Sequence, residues 1–224
     1  TKEIINCTFI RCSAKSGSCV YLLSTSLHMD SCIFTDMSKT YDFNSQTVDC
    51  SSIIFLNIPE GSDPIIENSI FSHNNQNVFF TEVAGTLCVL NCLFTDPVND
   101  PSNYLLFIDH MNDMETGNIF EDCIFQNSCH NQAVYGSASN YKHKFRNCTF
   151  RNNYYHYGPA SIQLNKEVKL ILIDSTFYNN TGVKGGVMNV YQETLEEVSG
   201  CKFIKNKIEE GKGGAIFLTE SDAE

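Results

Sequence analysis

Phenylalanine recurs at a spacing that few folds accommodate. Residues Phe9, Phe34, Phe71, Phe94, Phe125, Phe150, Phe177 and Phe203 each close a short segment of the form Asn-Cys-Thr-Phe or a near relative, and successive copies lie 25, 37, 23, 31, 25, 27 and 26 residues apart. A period in the twenties marks a solenoid, in which each repeat stacks on its neighbour and buries a continuous core.

Two residues before each Phe stands a small residue: Cys7, Cys32, Ser69, Cys92, Cys123, Cys148, Ser175 and Cys201. Small-x-Phe has the two-residue period of a strand, so both side chains leave one face. Three residues before the small position the chain reads Ile4, Met29, Ile66, Val89, Phe120, Phe145, Leu172 and Val198, all apolar. A gap of three does not fit one straight strand, which predicts a bend there with polar residues such as Asp30, Glu67 and Arg146 facing water.

Three residues after Phe stand Asn74, Asn153, Asn180 and Asn206. Asn tolerates left-handed backbone and is placed at that corner, where stacked amides can bond from rung to rung. A second strand follows, clearest as Gly213–Leu218 and Gly185–Val190, looser as Gly158–Leu164, Gly17–Leu22 and Tyr104–Ile108, with Ile162/Leu164, Met188/Val190 and Ile216/Leu218 as inward pairs. Residues 132–140 retain little of this form.

Three short strands per repeat of about 25 residues make an all-β, right-handed, single-stranded parallel β-helix of about eight coils and roughly 40 Å in length. The hand follows from the general right-handedness of parallel crossovers. The Leu-x-x-Leu-x-Leu pattern of leucine-rich repeats is absent, and a β-sandwich would not repeat one Phe column eight times. The whole chain, 1–224, reads as one solenoid segment with insertions near 37–52, 95–103 and 109–118, the first accounting for the 37-residue interval. The chain opens inside its first repeat and closes just after Gly213–Leu218, which leads us to expect a piece of a longer protein with flanking coils.

With 15 Lys and Arg against 26 Asp and Glu, the net charge is −11. That opposes nucleic acid and anionic membrane as partners, and no stretch reads as a membrane span. Of eleven cysteines, six occupy the inward small column, too far apart at strand spacing for an ideal disulfide, and are expected as free, buried, small hydrophobes. Cys12 and Cys19 are placed where they could pair across the first turn, and Cys50, Cys88 and Cys129 stay open.

Enzymatic candidates are sparse. Asp36 and Asp96 share a column two rungs apart, about 10 Å, which is loose for glycosidase chemistry and better explained by solvated turns. Asp109, His110 and Asp113 form the densest polar run without matching a metal or catalytic motif. Cys129-His130 is an adjacent pair poorly placed as nucleophile and base. His28, His143 and His156 are scattered. The sequence therefore assigns no catalytic, cofactor-binding or metal residue and no cofactor. Tyr154, Tyr155 and Tyr157 with His156 form a candidate surface for protein or sugar, or simply cover the rod. Asn6, Asn147 and Asn179 begin glycosylation sequons, although the repeat itself generates two of them.

The elements Phe71-Ser-His-Asn74, Phe150-Arg-Asn-Asn153, Phe177-Tyr-Asn-Asn180 and Phe203-Ile-Lys-Asn206, with Gly213-Gly-Ala-Ile216 and the close Gly185-Gly-Val-Met188, resemble the repeat pair of the polymorphic membrane protein family. The resemblance is tight over 147–218 and loose earlier, where Cys12, Met37, Pro97 and Ser128 replace the Asn. It implies a right-handed β-helix displayed on a cell surface, often in adhesion. The leading expectation is a non-catalytic, adhesin-like scaffold and interaction segment of an extracellular or surface protein, meeting proteins or glycans through its lateral face or insertions. A carbohydrate-active enzyme with Asp96, Asp109 and His110 in its site, and an intracellular protein assembling end to end, are the alternatives.

Overall fold

A computed structural model describes residues 1–14, 19–23, 26–39, 52–58, 63–75, 77–83, 86–97, 105–109, 117–129, 132–137, 142–164, 168–183, 186–191 and 194–219. It is an all-β parallel solenoid of several coils. One sheet of eight strands runs Lys2–Ile5, Leu27–Asp30, Ile65–Glu67, Cys88–Leu90, Gly117–Glu121, Lys142–Arg146, Lys169–Ile173 and Leu195–Ser199. A second of eight runs Thr8–Ile10, Ile33–Thr35, Ile70–Ser72, Leu93–Thr95, Ile124–Gln126, Thr149–Arg151, Thr176–Tyr178 and Lys202–Ile204. A third wall is split. Its first part comprises Val20–Leu23, Ser52–Ile58 and Asn77–Val83. Its second comprises Leu106–Asp109, Val134–Ser137, Ile162–Leu164, Met188–Tyr191 and Ile216–Thr219.

The Phe column stacks as the repeat requires. Ring centroids of consecutive Phe residues from Phe9 to Phe203 are 4.7–5.1 Å apart with interplanar angles of 3–12°. The 37-residue interval and the 23-residue interval give nearly the same spacing, 4.9 and 5.1 Å, so the extra length does not stretch the stack. Phe120 and Phe145 stack on each other at 4.7 Å and meet Phe125 and Phe150 edge-on. The expected apolar column pairs in register, from Ile4↔Met29 through Phe145↔Leu172 to Leu172↔Val198.

The three-residue gap has a specific cause. Each Small-x-Phe strand is flanked five residues apart by two residues in the left-handed region. The pairs are Asn6/Arg11, Ser31/Asp36, Asn68/His73, Asn91/Asp96, Asp122/Asn127, Asn147/Asn152, Asp174/Asn179 and Gly200/Lys205, with φ of 48–63°. Each turns the chain through a corner and puts two consecutive side chains outside. Asn and Asp dominate because their short polar side chains lower the left-handed penalty.

This corrects the placement of the repeat asparagine. The left-handed residue is the one before Asn74, Asn153, Asn180 and Asn206, whereas the asparagines point inward. Asn74, Asn153 and Asn180 are buried. Their amides bond rung to rung, as expected: Asn180 Nδ2 donates to Phe150 O at 2.9 Å, and Asn180 Oδ1 accepts from Asn153 N and Nδ2 at 3.1 and 3.0 Å. Asn206 repeats the pattern one rung on, donating to Phe177 O.

The small column is also more than apolar filler. Its cysteines are free, as expected, but Cys148 Sγ–H lies within hydrogen-bond distance of the carbonyls of Arg146 and Phe120, at 3.4 Å each. Ser175 makes the same two contacts with its hydroxyl and accepts from Cys148 N. Burial pushes the Cys148 thiol up, which keeps it protonated and unreactive. Cys148→Ser is therefore expected to change unfolding free energy by no more than about 1 kcal/mol, whereas Cys148→Leu should cost about 1–3 kcal/mol through overpacking, both read by urea denaturation.

Further differences concern the less regular coils. Val134–Ser137 is a full strand between Leu106–Asp109 and Ile162–Leu164, although the sequence there lacks the glycine-strand form. Gly136 takes the place of a large inward residue, and a Cβ at that position would lie 2.7 Å from Leu164. Ser38–Lys39 does not leave the rod but pairs with Ser13–Ala14; residues 40–51 lie outside the described residues. Cys12 and Cys19 are not joined by a disulfide, and Cys19 Sγ contacts Met37 Sδ at 3.2 Å. At the final rung Leu218 keeps the inward register of Val190 yet is 48% exposed, because no strand stacks beyond it among the described residues.

One interior column carries a polar interruption. Leu87, Asn118, His143, Leu170 and Leu195 succeed one another inside the first sheet. His143 is fully buried, its Nδ1 3.4 Å from Asn118 Nδ2, and burial lowers its pKa to about 4. In the unfolded chain a histidine titrates near its ordinary value of about 6.5. Below that pH the unfolded state takes up a proton that the folded state refuses. Stability present above pH 6.5 is thus lost as pH falls through 4, by about 3 kcal/mol in all. Urea unfolding between pH 7 and 4 should show the decline, and His143→Leu should flatten it.

Candidate interaction surface

The outer corners carry ladders of their own. Asn68 Nδ2 donates to Asp30 Oδ1, Asn91 Nδ2 to Asn68 Oδ1 and Asn147 Nδ2 to Asp122 Oδ1 on one corner. On the other corner Asn127 Nδ2 donates to Asp96 Oδ1 and Asn179 Nδ2 to Asn152 Oδ1. Asp96 is further held by the Thr95 hydroxyl at 2.7 Å. This is the ladder role of a structural carboxylate. Asp36 sits two rungs away in the same column with His73 between them.

The other sequence candidates are not brought together among the described residues. Asp109 ends a strand opposite Ser137, while His110, Asp113 and His130 lie outside the described residues. Cys129 is half-buried, and burial followed by the Asp96 charge raises its pKa, the wrong direction for a nucleophile. His28 pairs with Glu67 at 2.8 Å on the surface, a bond that raises its pKa. Among the described residues no group of three His, Cys, Asp or Glu side chains is placed to hold a metal, and no helix is long and apolar enough to cross a membrane. Asn6, Asn147 and Asn179 are all exposed on corners.

The tyrosine cluster is where side chains converge on open space. A small sheet of Tyr154–Tyr155, Thr181–Gly182 and Lys207–Ile208 follows the asparagine corner over three successive rungs. Only glycine fits at Gly182, where a Cβ would come within 2.5 Å of Gly186 O and 2.6 Å of Gly158 O. Beside this sheet lies a cleft of about 320 Å³ lined by His156, Tyr157, Val183, Glu209 and Glu210. Tyr157 is 74% exposed and meets the rings of Tyr155 and His156 edge-on at 6.0 and 5.0 Å. Tyr154 Oη spans two rungs, donating to Glu209 Oε2 at 3.5 Å and lying 3.3 Å from His156 Nδ1. Tyr154 and Tyr155 are half-buried, and burial raises the Tyr155 pKa. The sequence flagged the tyrosines and His156. It missed Glu209 and Glu210, which join them only because a glutamate pair more than 50 residues on lands two rungs above.

These features define a parallel β-solenoid with an open aromatic–acidic cleft on its side. No known protein family matches the chain, no curated protein matches it, and no solved structure matches it. The likeness to polymorphic membrane protein repeats thus rests on the repeat motifs themselves.

Proposed function

We propose that the chain is a non-catalytic, right-handed β-helical scaffold of eight coils that serves as an interaction segment, adhesin-like, in an extracellular or surface protein. The observation that carries this reading is the fate of the polar groups. Asp96, a carboxylate of the enzymatic alternative, is engaged by Asn127 and Thr95 in a corner ladder, and the inner asparagines bond to the backbone of the preceding rung. Two sheets of eight strands support the coil count, and the right-handed crossover bias supports the hand. Exposed Asn179 supports glycosylation, tested by a mass change on glycosidase treatment of secreted material.

Incubation with acidic and neutral polysaccharides, with and without Ca²⁺, tests the main reading. Binding without cleavage is expected. Cleavage abolished by Asp96→Asn or Asp109→Asn would replace the scaffold with an enzyme.

A further inference from the structure

We propose that the cleft between Tyr157 and Glu210 is a receptor for an arginine side chain presented by a basic peptide segment. The inference rests on the reading of the chain as an interaction segment and names the chemistry of its partner.

Three features of the cleft point the same way. Its volume, about 320 Å³, lies at the small end for ligand sites and suits one side chain better than an extended polymer. Its wall carries an exposed tyrosine ring steadied by Tyr155 and His156, the surface on which a planar guanidinium stacks. Its rim carries two carboxylates. Glu209 is oriented by the Tyr154 hydroxyl and lies 4.0 Å from Lys207 Nζ. Glu210 is exposed and has no ion-pair partner among the described residues.

A fork of N–H donors meets a carboxylate bidentately while its face covers an aromatic ring, which an ammonium does less well. The chain already places a cation over a tyrosine one corner away, with Lys205 Nζ 5.7 Å from the Tyr178 ring. Lys207, 68% exposed on its side chain, is the internal competitor for Glu209 and is held loosely enough to be displaced. The net charge of −11 adds long-range attraction for a basic segment.

The test titrates the whole chain with acetyl-Gly-Gly-Arg-Gly-Gly-amide and with its lysine and citrulline counterparts, following side-chain and amide NMR shifts. Citrulline keeps the shape and loses the charge. The expected result is saturable arginine binding that shifts His156, Tyr157 and Glu210, with citrulline at least about tenfold weaker and lysine between them. Tyr157→Ala and Glu210→Gln should each weaken arginine binding at least about fivefold without lowering the thermal midpoint, since both side chains are exposed. Lys207→Gln should strengthen it by freeing Glu209.

Equal binding of arginine and citrulline, or the absence of saturable shifts at these residues, would overturn the assignment. Arginine binding elsewhere on the rod would overturn it too while leaving the scaffold reading intact. Polysaccharide cleavage would instead remove the scaffold reading and leave the arginine titration to stand on its own.

Discussion

Phe150→Ala is expected to destabilise the protein by about 3–5 kcal/mol, the range for removing a fully buried phenylalanine. The ring is inaccessible to solvent, stacked at 4.8 Å on Phe125 and 4.7 Å on Phe177, and met edge-on by Phe145. In a solenoid the hole does not collapse easily, because the neighbouring rungs are held at strand spacing by their own backbone ladders. The adjacent Arg151 is exposed, bonded to Gln126 on the next rung, so Arg151→Ala should stay within about 0.5 kcal/mol. Urea unfolding of the pair reads the contrast. Similar losses for both would mean that Phe150 does not face a packed interior.

Asn180→Leu should be nearly as costly, about 2–5 kcal/mol, for a different reason. The residue is fully buried, and its amide serves both Phe150 O and Asn153 N of the preceding rung. Leucine restores apolar volume but leaves both backbone groups without that partner, at about 1–3 kcal/mol apiece. It also removes the link to Asn206. Asn180→Asp tests the donor separately. It keeps the acceptor toward Asn153 and loses the donation to Phe150 O, while a buried carboxylate replaces a neutral amide. A loss no larger than that of an exposed asparagine such as Asn152 would show that the inner ladder contributes little.

The two predictions mark how far the repeat could be read in advance. Phe and its small partner two residues earlier sit on one face of one strand, and local periodicity exposes such a pair. The inward asparagine was visible as a column and misread in conformation, because Asn is equally suited to left-handed backbone and to bridging backbone groups. Only the fold shows that the residue before it, as diverse as Arg11, His73 and Lys205, carries the positive φ. The long strands Ser52–Ile58 and Asn77–Val83 were not placed, since neither follows the glycine-led form. Their signal was the apolar, β-branched run itself, as in Ile53-Ile54-Phe55-Leu56.

The candidate site was half legible. Tyr154, Tyr155, His156 and Tyr157 form one run, so composition alone draws attention to them. Glu209 and Glu210 reach the same cleft through stacking. Their position depends on the lengths of two intervening coils, and no local pattern encodes it. Asp96 was legible in role and not in partners: its column marks a turn carboxylate, while the bonds from Thr95 and Asn127 that hold it depend on the stacking of rungs.

The central claim is that the repeats stack in register along a rod, and a single distance tests it. Thr8 and Lys202 occupy the same outward position of the second sheet in its first and last strands, seven strand steps apart. At about 4.8 Å per step they lie roughly 34 Å apart. Nitroxide labels introduced at both through an unnatural amino acid, which avoids the native thiols, allow that separation to be measured by pulsed electron resonance. A narrow distribution centred near 34 Å is the predicted result. A centre below about 20 Å, as a compact sandwich of the same strands would give, would contradict the stacked solenoid.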